Sequence, residues 1–335
     1  MTLDAIYNQT CEETIEMLKG NGVKVDCILT SPPYNMTKRK GGYADTGRYD
    51  VYQDWKPEDE YIDWTVQIFN GFHEILKENR VILYNFSYSI ENPALPYKLV
   101  AAIAENTPFT LIDTIIWKKK AGLPFPANGH RLCRNWEFVW VFARKGEEDT
   151  YENNRRVKSV SEKTGQKYYE AIYNFVDAAN NDGKCELNQA TFSTELCEKL
   201  FDIYCKQGWV VYDPFIGTGT TAVAAKKCGL NFLGSEISKG QCEYAEERVV
   251  NNMEKNPDAK RISDIKYIVD NRFGFYDRLT DNIGKARVRE FESLGFIGTG
   301  YSPHGKTWAC TNLARRYYKN VKYEDVLAED ENTEE

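Results

Sequence analysis

The sequence predicts an α/β protein organised around one large sheet. Short apolar runs alternate with stretches of helical spacing along most of its length. A glycine-rich turn, Gly217-Thr218-Gly219, joins a strand-like run at 209–212 to a helical stretch at 220–227. The run at 25–30 is apolar enough for a buried strand and ends on Ser31-Pro32-Pro33. Proline lacks an amide hydrogen and fixes φ at about −65°, so the chain must leave the sheet there as a stiff extended tip.

Residues 36–56 follow, mixing Gly, Lys, Arg and Tyr without periodicity, and read as a mobile loop. Helical spacing of Ile62, Val66, Phe69 and Phe72 predicts a helix over 60–76, before a strand at 81–86. A helix at about 98–104 and a strand at 109–117 repeat the alternation, and 134–142 is a further strand. Residues 144–188 are polar and rich in Lys, Asn, Glu and Tyr, which marks an inserted or loop-like region. Regularity returns with a helix at 194–205, the strand at 209–212, the glycine turn and its helix, a strand at 231–234 and a helix from 239 to about 250. That last stretch is a βαβα unit. No internal repeat is present, and low complexity is confined to an acidic tail.

At 335 residues, 42% hydrophobic and 13% aromatic, the chain is ample for a buried core. No run approaches the roughly 20 apolar residues of a membrane span, and Met1-Thr2-Leu3-Asp4 lacks the basic and apolar regions of a secretory signal. A cytoplasmic protein with no membrane partner is expected. The nine cysteines include no C-x-x-C pair, and only His73, His130 and His304 are at hand to complete a zinc site. They read as reduced thiols, with no metal. The net charge of −7 is unevenly placed: between Lys255 and Lys322 fourteen Lys and Arg face seven acids. A locally basic, aromatic-bearing segment on an acidic protein fits a DNA-contacting appendage, and equally an ordinary solvated surface.

In the glycine turn, Gly217 and Gly219 permit positive φ and close approach of a ligand to the backbone, beside the unpaired N–H groups of a helix start. Glu236, at the end of the next strand, is placed to accept hydrogen bonds from ribose hydroxyls. This is the pattern of a nucleoside-cofactor site. Gly217-x-Gly219-x-x-Ala222 with a downstream acid also satisfies the NAD fingerprint, so the turn alone leaves S-adenosylmethionine and NAD open. A P-loop is disfavoured, since no Lys follows the glycines in the required position.

Ser31-Pro32-Pro33-Tyr34 favours S-adenosylmethionine. Methyl transfer from a sulfonium to an exocyclic amine needs the amine lone pair in line with the leaving sulfur. The Ser31 side chain and a carbonyl of the Pro-Pro segment are suited to accept the amine's two hydrogens, and Tyr34 offers a face on which a base stacks. Alone, such a tip is more often a plain strand-ending turn. Its pairing with the cofactor turn gives it weight.

Leu29-Thr30-Ser31-Pro32-Pro33-Tyr34 and Asp213-Pro214-Phe215-x-Gly217-x-Gly219-Thr220-Thr221 resemble the catalytic and cofactor motifs of the amino DNA methyltransferases. With the catalytic motif first and a variable middle between, their order is similar to the β class. The resemblance covers about residues 4–250 and extends to Trp117-x-Lys119, Arg134-Asn135-x-Glu137, and Glu236-Ile237 with Tyr244, Ala245 and Arg248. It implies a Rossmann-like methyltransferase fold with circularly permuted motif order, α/β with a mostly parallel sheet flanked by helices. The catalytic domain would span 1–252 with a target-recognition insert at about 118–188. A basic accessory region would follow at 253–326, then an acidic tail, expected to be disordered, at 327–335. By the same resemblance S-adenosylmethionine is the cofactor, its methionine part held by Asp213, Phe215, Gly217 and Gly219 with Thr220 beside them, and its ribose by Glu236. Two segments depart from the family pattern. Asn188-Gln189-Ala190-Thr191-Phe192-Ser193 stands where many relatives have His-Pro and Phe-Pro, and Asn8-Gln9-Thr10-Cys11 stands where an acid is usual.

Ser-Pro-Pro-Tyr after a Thr looks like the N4-cytosine group, Asp-Pro-Pro-Tyr being more usual for N6-adenine, so N4 of cytosine is the favoured target. The expected mechanism is base flipping, stacking on Tyr34 and direct attack by the amine, with Ser31, Pro32, Pro33 and Tyr34 as the catalytic tip. No Pro-Cys dipeptide offers the nucleophile a carbon-5 cytosine methyltransferase requires. Lys38, Arg39, Lys40 and Arg48 form a candidate closing flap, and Arg315, Arg316 and Lys319 combine phosphate-binding charge with Tyr317 and Tyr318. Double-stranded DNA is the expected partner; a homodimer and a cognate restriction enzyme stay open. The alternatives are N6-adenine DNA methylation, RNA or protein-glutamine methylation, an NAD-dependent dehydrogenase, and a catalytically silent DNA-binding protein. The dehydrogenase leaves Ser31 to Tyr34 unexplained, and the silent protein needs neither motif.

Overall fold

The computed structural model describes residues 3–35, 55–89, 92–120, 130, 132–183, 185, 187–188, 191–254 and 259–320. The chain begins with β1 (Ala5–Tyr7), α1 (Cys11–Gly20), β2 (Val25–Thr30), α2 (Glu58–Ile75), β3 (Leu76–Phe86), α3 (Leu95–Asn106), β4 (Phe109–Lys119) and β5 (Trp136–Arg144). Short strands β6 (Val157–Val160), β7 (Lys167–Tyr169) and β8 (Phe175–Ala178) precede α4 (Thr194–Tyr204), β9 (Val210–Asp213), α5 (Thr220–Lys227), β10 (Asn231–Ser235) and α6 (Lys239–Glu254). A last unit comprises α7 (Ala259–Asn271), β11 (Phe273–Phe275), α8 (Tyr276–Ile283), α9 (Lys285–Ser293), β12 (Ile297–Ser302), β13 (Gly305–Cys310) and α10 (Asn312–Asn320).

Eight strands form one sheet in the order β1-β10-β9-β2-β3-β5-β4-β8. All pair in parallel except β5, which runs antiparallel to both of its neighbours. The expected α/β class with a mostly parallel sheet is what the chain adopts. Strand side chains alternate between faces, and both faces are covered. Ile28, Ile82, Tyr84, Phe138 and Trp140 pack under α1, α2 and α3. Cys27, Leu29, Val81, Val139 and Val141 pack under α4, α5 and α6.

The strand order fixes where a ligand sits. From β9 the chain winds through α5 to β10 on one side, and from β2 through α2 to β3 on the other, so the order reverses between β2 and β9. In open α/β sheets the crevice lies outside the strand C-termini at such a switch point. Here the β2 end is the Ser31 tip and the β9 end is the glycine turn.

Several elements extend the expectations. α1 opens with a capping box: Thr10 Oγ1 accepts from Glu13 N at 3.2 Å, and Glu13 Oε2 accepts from Thr10 N at 2.9 Å. The polar middle is partly ordered, with an exposed β6–β7 hairpin and with β8 paired in parallel to β4, burying Val176 and Ala178. All nine cysteines are free, and among the described residues no helix is long and apolar enough to cross a membrane. The acidic tail and most of the expected loop after the tip lie outside the described residues.

The C-terminal unit is continuous with the main core, since Ile265, Leu279, Phe291 and Trp308 share one cluster with Val223, Phe232 and Val249. A buried ion pair anchors the junction: Lys226 Nζ and Asp4 Oδ2 are 2.9 Å apart, their side chains 2% and 3% exposed. Burial pushes the Asp4 carboxyl up and the Lys226 ammonium down, each opposed by the partner's charge. Gly295, at φ +69°, lies so close that a Cβ there would meet Asp4 Oδ2 at 2.0 Å. Lys226→Ala leaves Asp4 unpaired in the core and is expected to lower the unfolding free energy by about 3–5 kcal/mol. Lys227→Ala, which breaks the exposed pair with Glu198, is expected to change it by less than about 1 kcal/mol. Urea unfolding of both variants checks the contrast.

Candidate active site

Asp213, at the end of β9, is 1% exposed. Its Oδ1 accepts from Thr30 Oγ1 at 2.7 Å and from Phe215 N at 3.0 Å, and its Oδ2 from Thr221 Oγ1 at 2.5 Å. One carboxylate thus joins the last residue of β2, the glycine turn and the first turn of α5. Burial pushes its pKa up to about 6, and the three donors pull the other way.

Beyond Thr30 the tip is held by a second network. Ser31 Oγ and Tyr34 Oη lie 3.0 Å apart, and Tyr34 Oη is 2.8 Å from Asn85 Oδ1 and 3.0 Å from Glu137 Oε2. Asn85 Nδ2 donates to the Phe138 carbonyl at 2.9 Å, and Lys119 Nζ pairs with Glu137. The sheet explains why these groups meet. Asn85 lies at the end of β3 and Lys119 closes β4, whereas Glu137 lies at the start of the antiparallel β5, so all three stand at the end of the sheet that carries Ser31. The Tyr34 ring rests on Phe86, centroids 4.8 Å apart. Tyr61 Oη donates to the Pro33 carbonyl at 2.5 Å.

Beside the tip lies a cleft of about 220 Å³ lined by Ser31, Pro33, Phe215, Gly217, Thr218, Thr220 and Glu236 among others. Glu236 Oε2 accepts from Gly217 N at 3.1 Å and Oε1 from Ser238 N at 2.8 Å. Gly217, at φ +51°, has Asn188 Nδ2 at 3.0 Å from where a Cβ would stand, and a Cβ on Gly219 (φ +82°) would meet that of Ala245 at 2.8 Å. Both positions therefore require glycine. Of the expected cofactor residues, Phe215, Gly217, Thr220 and Glu236 line the cleft, while Asp213 and Gly219 support the turn from behind.

Both segments that depart from the family pattern also reach the cleft. Asn188, Thr191 and Phe192 form part of its wall, as do Gln9, Thr10, Cys11 and Glu12. Glu12, just after the Asn8–Cys11 segment, brings a carboxylate to this wall. It accepts from Trp64 Nε1 at 2.6 Å, and the Trp64 ring lies 5.6 Å from that of Phe215. Burial pushes the Glu12 carboxyl up, but hydrogen bonds from Cys11, Trp64 and the local backbone outweigh it and hold it below the ordinary range. The sequence signal for Glu12 is the capping box, which opens a helix at Cys11 and places residue 12 in its first turn. For Asn85 there is no local signal.

Of the expected DNA-contacting residues, Lys38, Arg39, Lys40 and Arg48 lie outside the described residues. Arg315 is exposed on α10, and the side chains of Arg316 and Lys319 lie outside them as well.

A model of the N6/N4 DNA methylase family matches residues 25–247. The chain belongs to this DNA methylase family. Curated relatives include the type II methyltransferases M.BglII of Bacillus subtilis, 25% identical over 72% of this chain and 68% of the relative, and M.HinfI of Haemophilus influenzae, 25% identical over 74% and 68%. Among solved structures, the cytosine-N4-specific PvuII DNA methyltransferase shares the fold with a TM-score of 0.55 at 17% identity, over 81% of this chain and 94% of that one. The Thermus thermophilus methylase TTHA0409 complexed with S-adenosyl-L-methionine gives 0.50 at 19% identity, over 75% and 95%.

The methylase uses S-adenosylmethionine, and the cleft residues fit it. Phe215, Trp64, Phe192 and Ile237 give an apolar wall for an adenine ring. The wall also carries two carboxylates, Glu236, which would accept from ribose hydroxyls, and Glu12, which would face a positively charged amino-acid end.

The Asp213 environment predicts a pH effect. Its folded pKa of about 6 exceeds the ordinary 3.8, so it favours the folded state fully below pH about 4, and that contribution is lost as pH rises through about 6. Asp213→Asn removes the titration. The stability of the wild type relative to this variant should fall by roughly 3 kcal/mol between pH 4 and 7, read by urea unfolding; a pH-independent difference would refute the shift.

Proposed function

We propose that this methylase transfers a methyl group from S-adenosylmethionine to the exocyclic amine of a base flipped out of double-stranded DNA, with N4 of cytosine as the favoured acceptor. The hydrogen-bond chain behind Ser31 carries this reading. Tyr34 Oη has a single hydrogen, and its acceptors are Asn85 Oδ1 and the Glu137 carboxylate. With that hydrogen so used, the Tyr34 oxygen accepts from Ser31, and the Ser31 lone pairs face the substrate as acceptors. Of the two proline carbonyls, that of Pro33 is occupied by Tyr61. The Pro32 carbonyl, on a buried residue, has no partner among the described residues and is the second acceptor.

Two acceptors engage both amine hydrogens and aim the nitrogen lone pair at the cofactor side of the tip. Bound S-adenosylmethionine supplies the electrophilic sulfonium methyl. The surplus amine proton passes to Ser31 Oγ as the Ser31 hydrogen moves to Tyr34 Oη and the Tyr34 hydrogen to Glu137. Lys119 balances the charge at the end of that path. The flipped base stacks on Tyr34, held from behind by Phe86. The preference for cytosine rests on the resemblance of Thr30-Ser31-Pro32-Pro33-Tyr34 to the N4-cytosine pattern; N6 of adenine presents the same two hydrogens and is the second reading.

Duplex contacts fall to the 118–188 insert in this reading, whose β6–β7 hairpin carries Lys158, Lys167 and the exposed Tyr168 and Tyr169. A two-stranded ribbon of this kind fits the major groove.

Nucleoside mass spectrometry of DNA incubated with the protein and S-adenosylmethionine is expected to show N4-methylcytosine. N6-methyladenine would move the target to adenine, and no methylated amine would sink the reading. Ser31→Ala and Tyr34→Ala are each expected to lower turnover at least about 100-fold with cofactor affinity by calorimetry largely kept. Glu137→Gln is expected to lower turnover with unchanged cofactor affinity, and normal turnover in it would remove the proton path.

A further inference from the structure

Residues 259–320 run helix, strand, helix, helix, strand, strand, helix, and their strands pair antiparallel in the order β11-β13-β12. Gly284 alone separates α8 from α9; its φ is +85° and nothing lies within 4 Å of where its Cβ would stand. The two helices pack against each other, with Leu279, Ile283, Val288 and Phe291 buried. The β12–β13 ladder runs unbroken from Ile297↔Cys310 to Ser302↔Gly305, so its hairpin turns at Pro303-His304 and projects as a wing. A helix and a two-stranded hairpin are both shapes that the DNA major groove admits.

Charge points to the same ligand. Residues 259–320 hold twelve basic and six acidic residues in a chain whose net charge is −7, leaving −13 for the remainder. Ion pairing then selects the face. Arg287 is bound to Asp264 and Glu290, Lys306 to Glu292, and Lys266 to Asp270. Lys285 and Arg289, one turn apart on α9, are exposed and have no ion-pair partner among the described residues, and the same holds for Arg278 on α8, although Asp277 and Asp281 share that helix. Tyr301 on the wing is 85% exposed, with His304 at its tip.

The unit does not border the cleft. Gly295 touches Asp4 and Lys226, at the start of β1 and the end of α5, whereas the cleft opens at the end of β9 and the start of α5. The length of α5, about 12 Å, separates the two levels.

We propose that α9 and the β12–β13 wing form a second duplex-DNA-binding surface at the opposite end of the sheet from Ser31, with Lys285 and Arg289 contacting phosphates. The proposal rests on reading the chain as an enzyme of duplex DNA. It moves the basic contact surface from α10, which packs against α6 and α7, to the helix and hairpin that face solvent.

The test is duplex binding by the full-length chain without cofactor, followed by fluorescence anisotropy across a salt series. Lys285→Gln with Arg289→Gln is expected to reduce the slope of log affinity against log salt by about 2. Melting temperature and S-adenosylmethionine affinity report that the fold is kept. Lys266→Gln, on a paired exposed lysine of α7, is expected to leave the slope unchanged. Short duplexes are expected to bind two per wild-type chain and one per Lys285→Glu, Arg289→Glu chain. An unchanged slope in the glutamine pair, or one duplex per chain in both proteins, overturns the surface. Neither outcome depends on nucleoside analysis, so a chain that methylates amines with an unchanged slope loses only this surface, and a changed slope without methylation keeps it.

Discussion

The Asp213 carboxylate is the contact on which the rest of the site depends. Its three donors come from β2, from the glycine turn and from α5, so the Ser31 tip and the glycine turn are positioned by the same two oxygen atoms. A carboxylate taken out of water is costly unless its lone pairs are filled. Thr30 and Thr221 are therefore structural requirements of the buried acid as much as members of the motifs that contain them. The sheet brings this about by reversing its strand order between β2 and β9.

The antiparallel strand has a matching role on the other side of the tip. A parallel strand delivers its last residues to the catalytic end, but β5 delivers its first. Glu137 is thereby set opposite Asn85 and Lys119, and the acid, the amide and the ammonium converge on Tyr34 from three adjacent strands. The tip is thus clamped from below by Asp213 through Thr30 and from the side by Glu137 through Tyr34. Membership of the DNA methylase family gives this rigid cradle its chemical setting, beside a cleft that suits S-adenosylmethionine.

The sheet and both motifs were legible in the sequence because each has a local cause. Residues 25–30 and 81–86 are nearly continuous apolar runs, as strands covered on both faces must be, and Gly217, Gly219, Pro32 and Pro33 mark backbone shapes few other residues adopt. What stayed hidden depends on distant partners. Glu12 meets Trp64 across 52 positions, and the partner of Glu137, which the family resemblance picks out without a contact, is Tyr34, 103 positions away. The three-residue β1 is too short to show a period. The C-terminal unit shows in the sequence only as charge and aromatics, because its central helices have eight and nine residues and β12 is diluted by Gly298 and Gly300.

The pairing of β2 with β9 also shapes how the chain is made. Thr30 and Asp213 are 183 positions apart, so at about 5–20 residues per second a ribosome completes the first roughly 10–40 s before the second. During that interval the β2 edge is a row of unpaired amides and carbonyls beside apolar side chains, the kind of edge that recruits foreign strands. The chain order thus leaves β2, the strand that leads into Ser31, with one open edge through much of synthesis, as β1 is left until β10 emerges. Slower synthesis lengthens that exposure, and a shorter middle region would curtail it.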